Sequence, residues 1–382
     1  MKEAIYVDHA ATSPVHPEVA EKMLAFMTTT FGNPSSIHSF GRKSRQAVDE
    51  AREKIARSIG AKDSELIFTS GGTEADNLAI LGTALANRDK GNHIITTSIE
   101  HHAVLHTCGQ LERQGFDVTY LPVGEDGRIQ LPEFQKALRD DTILVTIMLG
   151  NNEVGTLQPI QEIGEALTNH QAYLHTDAVQ AFGAIPLNVN DLKVDLLSVS
   201  GHKINGPKGI GFLYVREGTI LSPLTFGGEQ ERKRRAGTEN VPGIFGLAEA
   251  VLISQKEIAN RQITYKKYKE IFQSILNDKN ISYEINGSKE YGLPHIMNLY
   301  FPKINVESFL VNLDLAGIAA SSGSACTAGS IEPSHVIVAM FGNESDRGRS
   351  SIRYSFGLGN TEEQIRKVAE ETVRIVQRLT RR

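Results

Sequence analysis

From about residue 64 to residue 215, short apolar runs alternate with stretches whose apolar residues recur at helical spacing. The runs predict strands at 65–69, 93–97, 117–121, 142–148, 172–175, 196–199 and 211–215. Several of them, such as Ile143-Leu144-Val145 and Leu196-Leu197, are apolar at successive positions rather than at alternate ones. A strand of that kind has no wet face, and such strands separated by helices predict a mostly parallel sheet covered on both sides. Val48, Ala51, Ile55 and Ile59 recur at helical spacing and predict a helix over 44–59.

After Gly243 the texture changes. A long helical pattern runs to about Leu276, followed by short strand patterns at 283–285, 296–301 and 351–356. Thr361-Glu362-Glu363-Gln364 has the spacing of a capping box that opens a final helix. The prediction is an α/β chain: an N-terminal arm over 1–15, a large domain over 16–255 with the parallel sheet, and a smaller α+β C-terminal domain over 256–382.

The bulk numbers narrow the class. The 382 residues exceed what one compact core usually holds. A hydrophobic fraction of 40% with 22% charged residues is ordinary globular usage. A net charge of -5 gives no electrostatic case for binding nucleic acid. No apolar stretch reaches the roughly 18 residues a membrane span needs, and the expected location is the cytoplasm. The chain has only two cysteines, Cys108 and Cys326, too few for a disulfide framework or for a zinc site on their own. No metal is expected.

Candidate chemistry sits where the predicted strands end. Lys203, in Ser198-Val199-Ser200-Gly201-His202-Lys203, follows an apolar strand and leads into a Gly-rich segment. A lysine there can form a Schiff base with an aldehyde cofactor, with Ser200 and His202 donating to its phosphate; a lone lysine there is ordinarily just solvated. Asp177 lies 26 positions earlier at another strand end, where open α/β sheets bind ligands. It could pair with a pyridine nitrogen or simply cap a helix. Gln180 could reach a ring hydroxyl. The turn Ser70-Gly71-Gly72-Thr73 links a strand to a helix, so its free N–H groups could cradle phosphate, although such turns are also common scaffolding. His101 or His102 could stack on a cofactor ring. Asn152 could bind a ring hydroxyl or a substrate carboxylate, and Arg353 could bind a carboxylate through two parallel hydrogen bonds. Ser321-Ser322-Gly323-Ser324-Ala325-Cys326 reads as a loop of small residues around a nucleophilic thiol. Cys108 lies in a helical pattern and reads as packing.

Taken in order, these motifs resemble the cysteine desulfurases of the NifS/IscS-like kind, within the aspartate-aminotransferase-like fold of pyridoxal-phosphate (PLP) enzymes (fold type I). The resemblance runs from Tyr6-Val7-Asp8-His9-Ala10-Ala11-Thr12 to Arg353 and includes Arg235-Ala236-Gly237-Thr238. It implies PLP as cofactor, with Lys203 as its lysine partner and His101 stacked on the ring. It implies Asp177 at the ring nitrogen, Gln180 at the ring hydroxyl, and Gly72, Thr73, Ser200 and His202 around the phosphate. Thr238 would reach the phosphate of a partner subunit, which implies a homodimer. Asn152 and Arg353 would bind the carboxylate of L-cysteine. Cys326 would take the sulfur as a persulfide, leave alanine, and pass the sulfur to an acceptor protein of iron–sulfur assembly or tRNA thiolation. A selenocysteine lyase, an aminotransferase and a non-catalytic scaffold are the rival readings. The Cys326 loop argues against the aminotransferase, and the complete residue set argues against the scaffold.

Overall fold

A computed structural model describes residues 4–323 and 333–380. Within these residues the elements run β1 (Ile5–Tyr6), α1 (Pro17–Thr29), α2 (Ser39–Ser58), β2 (Leu66–Thr69), α3 (Gly72–Ala86), β3 (His93–Thr97), α4 (His102–Arg113), β4 (Asp117–Leu121), α5 (Leu131–Ala137), β5 (Thr142–Thr146), α6 (Ile160–Ala166), β6 (Tyr173–Asp177), β7 (Leu196–Ser200), β8 (Gly211–Val215), α7 (Val241–Asp278), β9 (Glu284–Asn286), β10 (Ile296–Tyr300), α8 (Val306–Leu315), β11 (Ile318–Ala319), α9 (His335–Phe341), β12 (Ser351–Ser355) and α10 (Glu362–Thr380).

The main sheet has the order β2-β8-β7-β6-β5-β3-β4. Its pairs are parallel except the two made by β8. Successive side chains of a strand point to opposite faces, which explains the doubly apolar runs. Leu197, Val145 and Leu174 pack with Val48 and Ile55 of α2 and with Ile244 and Leu247 of α7. Leu196 packs on the other face with Leu78 and Ala79 of α3, and Leu144 packs there with Ile80 of α3 and Cys108 of α4, joined by Ile143, the extra residue where the register between β3 and β5 shifts. The α/β architecture with a mostly parallel sheet is therefore present.

A second core surrounds the antiparallel sheet β12-β10-β9 together with α8 and α10. The single helix α7 serves both cores. Val241, Ile244, Leu247 and Val251 join the first, while Tyr268, Phe272 and Leu276 join the second. The chain start also belongs to the second core: β1 pairs in parallel with β11, and Ile5 and Val7 pack there.

Boundaries differ from the sequence expectation by small amounts with clear causes. α2 begins at Ser39 rather than at 44 because His38 caps it, Nδ1 accepting from the Gly41 N–H at 3.2 Å; the first turn buries only Gly41 and has no apolar periodicity to read. The strand expected over 142–148 ends at Thr146; beyond it the Ile147 and Leu149 N–H groups still bond to β6, while the Met148 N–H turns to the Glu100 carboxylate. The capping box is present: the Gln364 N–H donates to Thr361 Oγ1 and the Thr361 N–H to Gln364 Oε1. Among the described residues no helix is long and apolar enough to cross a membrane.

Candidate active site

Because β2 runs in the same direction as β7, five strands deliver their C-terminal ends to one edge of the main sheet. β2 leads to Ser70–Gly72, β3 to His101, β5 to Asn152, β6 ends at Asp177 and β7 at Ser200. The sheet therefore gathers residues scattered over 130 positions, from 70 to 200.

At the β2 exit the chain turns with Gly71 at φ 151°, and α3 starts at Gly72 with its N-terminal amides unused by the helix. A side chain at Gly72 would meet Val179 Cγ2 at 2.8 Å, and one at Gly71 would lie 3.6 Å from Ser200 Oγ. The start of α3 therefore lies against the buried Ser200 at the exit of β7, and free N–H groups at a helix start can hold phosphate. Burial and the neighbouring Lys203 hold the His202 imidazole down at about 4. Its Nδ1 lies 3.1 Å from Thr12 Oγ1.

Asp177 is buried and accepts from the Val179 N–H at 2.8 Å. Burial raises its carboxyl above the usual range, against the pull of His101 and Lys203. A buried acid with raised proton affinity, facing an imidazole and an ammonium, is the partner that a pyridine nitrogen needs. His101 caps α4, with Nδ1 accepting from the Ala103 N–H at 3.1 Å. Burial lowers its proton affinity, which Asp177 partly restores.

Lys203 is half-buried in a 3-10 turn after β7. Its Nζ donates to the carbonyls of Ala10 and Ala11, the latter at 2.8 Å. Gln180 Nε2 donates to the same Ala10 carbonyl at 2.8 Å. Arg353, on β12 in the second sheet, is buried and donates through Nη1 to the Asn152 carbonyl and through Nη2 to Asp8 Oδ1, both at 2.8 Å. The two sheets meet here. The residues present fit PLP: a lysine, a buried acid, a buried imidazole and a Gly-rich helix start lie along one sheet edge.

Two expected site residues stand apart. Thr238 is exposed, on a segment anchored by Arg235 Nε to Glu74 at 2.7 Å and by Arg45 Nη2 to Glu239 at 2.5 Å. Cys326 lies outside the described residues. Its described flanks do not: Ser321 bridges to Arg353, and Ser334 Oγ donates to Glu153 Oε2 at 2.5 Å. Glu153 also crowds Gly323, where a side chain would come within 2.5 Å of Oε2. Both ends of the cysteine segment thus lie beside Asn152 and Arg353. Cys108 is buried in α4, and burial pushes its thiol up to about 12, unfit for a nucleophile.

Sequence reading missed three acids that organise this edge. Asp8 pairs with Arg353. Glu153 anchors both flanks of the cysteine segment. Glu100, buried, accepts from Thr97 Oγ1 at 2.6 Å and from the Met148 N–H at 3.0 Å, while its own carbonyl accepts from His335 Nε2 at 2.9 Å. Asp8 lies in the N-terminal motif, Glu100 precedes His101 and Glu153 follows Asn152, but their partners are distant in the chain and carry no spacing signal.

Comparison with known proteins agrees with this geometry. The chain is 64% identical over 378 residues to a putative cysteine desulfurase IscS 1 of Bacillus subtilis, covering 99% of this chain and 100% of that protein. It is 52% identical to a cysteine desulfurase IscS of Methanosarcina thermophila, covering 99% and 93%. Among solved structures, a NifS-like protein superposes with a TM-score of 0.91 at 36% identity, covering 98% of this chain and 99% of that one. A structure titled SspA in complex with cysteine superposes with a TM-score of 0.80 at 40% identity, covering 92% and 98%. The pattern of one family, aminotransferase class-V, matches residues 5–368, and the chain belongs to that family.

Proposed function

We propose that this protein is a PLP-dependent cysteine desulfurase that converts L-cysteine to L-alanine and carries the sulfur on Cys326. The observation that carries the reading is the convergence of Lys203, Asp177 and His101 at one sheet edge, with the buried Arg353 beside the flanks of the cysteine segment. PLP, when bound, supplies an electron sink for the bond changes at the substrate Cα and Cβ.

The residues divide the work. Asp177 holds a proton against the ring nitrogen, His101 covers the ring face and Gln180 reaches its hydroxyl. Gly72, Thr73, Ser200 and His202 hold the phosphate. Arg353 and Asn152 fix the substrate carboxylate, and so set which Cα bond faces Lys203. Lys203 Nζ removes the Cα proton as a general base. Cys326 Sγ then forms a bond to the substrate sulfur as the substrate C–S bond breaks. One thiol and one cysteine thereby become one persulfide and one alanine, with no external oxidant. Protein acceptors of iron–sulfur assembly or tRNA thiolation take the persulfide sulfur.

A homodimer with Thr238 reaching the partner's phosphate site belongs to the same reading. It is supported by apolar side chains left exposed on the segment between α1 and α2 and on the segment before Thr238: Ile37 is 92% exposed, Phe226 84% and Phe31 72%. A free Cys326 thiol suits the reducing cytoplasm. In the domain division that goes with it, residues 1–15 form an arm, 16–255 bind the cofactor and 256–382 carry the cysteine. The absorbance spectrum of the purified protein tests the reading. A visible PLP band that depends on Lys203, and that changes on adding L-cysteine, is expected; absence of the band would sink it.

A further inference from the structure

Beside Lys203 the fold leaves a small, half-open cavity of about 40 Å³ whose walls include Lys203, His9, Gln180, Tyr265, His295 and Gly357. It has room for about two waters. His9 is only 6% exposed, and among the described residues neither of its ring nitrogens has a hydrogen-bond partner. The Tyr6 carbonyl sits beside the ring but outside hydrogen-bond geometry. His295 Nδ1 is likewise buried without a partner. Leaving such groups unsatisfied is destabilising, and a polar cavity of this size relieves that cost by holding water.

The placement is specific. Gly357 lets the His9 ring lie flat against the chain, since a side chain there would come within 2.2 Å of Nδ1. His9 adjoins Ala10, whose carbonyl holds Lys203 Nζ. His295 lies within electrostatic reach of both His9 and Lys203, and of its two ring nitrogens only Nδ1 is among the fully buried, unpartnered atoms. Burial holds the His9 imidazole down at about 4 and that of His295 at about 3. Both rings are therefore neutral at pH 7, each with one N–H to give and one lone pair to receive. Nothing in the reaction above uses either of them.

We propose that this cavity holds ordered water joining Lys203 to His9 and His295, and that these two imidazoles exchange the proton borne by Lys203 with solvent. The inference rests on Lys203 being the base that takes the substrate Cα proton. The ammonium passes one proton to water, and water passes one to a ring nitrogen. The opposite ring nitrogen releases its own proton outward, at His295 through Nε2, which is not among the sealed atoms. The return path restores both rings, so nothing is consumed.

The experiment follows loss of the Cα proton of L-alanine in D2O by NMR, with the PLP-loaded holoenzyme. This readout involves Lys203 but no sulfur chemistry. The wild type is expected to exchange, and His9→Leu and His295→Leu are expected to slow exchange at least about tenfold while retaining the visible cofactor band. Exchange within twofold of wild type in both variants would overturn the relay and leave Lys203 as the base. No exchange in the wild type would overturn the base assignment and the relay with it. If the variants lose the cofactor, a crystal structure of the wild-type holoenzyme decides: water bonded to a His9 ring nitrogen is expected, and a dry cavity would overturn the proposal.

Discussion

Arg353 and Asp8, 345 positions apart, form a 2.8 Å ion pair in which the arginine side chain is only 3% exposed. The pair joins the exit of β1 to the middle of β12, so a residue of the chain start aims the cation proposed for the substrate carboxylate. Removing one partner of a buried pair leaves the other uncompensated. Asp8→Ala is expected to raise KM for L-cysteine by about tenfold, with a smaller effect on kcat, because ground-state binding is what suffers. Steady-state kinetics check this; an unchanged KM would mean that Asp8 serves stability alone.

Asp177 gives a second prediction. Asp177→Asn keeps the shape and a hydrogen-bond acceptor but cannot hold the proton at the ring nitrogen. Its kcat is expected to fall by about 10²–10³ with PLP still bound, the scale lost with a preorganised electrostatic partner. Alanine formation and the cofactor band, measured on the same sample, separate lost chemistry from lost cofactor.

Thr238 is exposed in one chain and is proposed to act in the partner's site. A hydrogen bond to a charged group contributes about 1.5–3 kcal/mol. Thr238→Ala is therefore expected to weaken PLP retention by roughly tenfold or more without lowering the melting temperature of the apoprotein. Equilibrium dialysis measures the first and calorimetry the second.

Two buried groups set opposite pH slopes on stability. Burial pushes the Glu100 carboxyl up to about 8 from an ordinary 4.5. The folded chain therefore keeps a proton that the unfolded chain has lost, and stability falls as pH rises from about 4.5 to 8. His175, between Thr146 and Ser198, is held down to about 3 from 6.5. Here the unfolded chain gains a proton first, so stability falls as pH drops from 6.5 toward 3. Glu100→Gln is expected to flatten the first slope and leave the second, by an amount on the order of 5 kcal/mol at most. Melting curves from pH 5 to 8 on both proteins test this.

Much of this arrangement was legible in the chain because burial writes a local pattern. Leu196-Leu197 announced a strand covered on both faces, and Thr361 with Gln364 announced a helix start. Strand ends followed by Gly-Gly, His-His or Asp-Ala-Val-Gln marked the site because parallel strands deliver their ends to one edge. Asp8, Glu153 and Glu100 were not legible as organisers. Each acts on a residue between 48 and 345 positions away, and no periodicity encodes a partner that only the tertiary fold supplies. The first turn of α2 escaped for the opposite reason: only Gly41 of it is buried, so packing imposes no apolar pattern there.

The central claim is that Cys326 takes the sulfur of L-cysteine at a site run by Lys203. The most direct test mixes PLP-loaded protein with L-cysteine in the absence of any reductant, and counts alanine per subunit while mass spectrometry locates the sulfur. The account predicts a single burst of about one alanine per subunit, a persulfide on the Cys326 peptide, and neither product with Lys203→Ala or Cys326→Ala. A full burst of alanine from Cys326→Ala, or a persulfide on Cys108 instead, would contradict it.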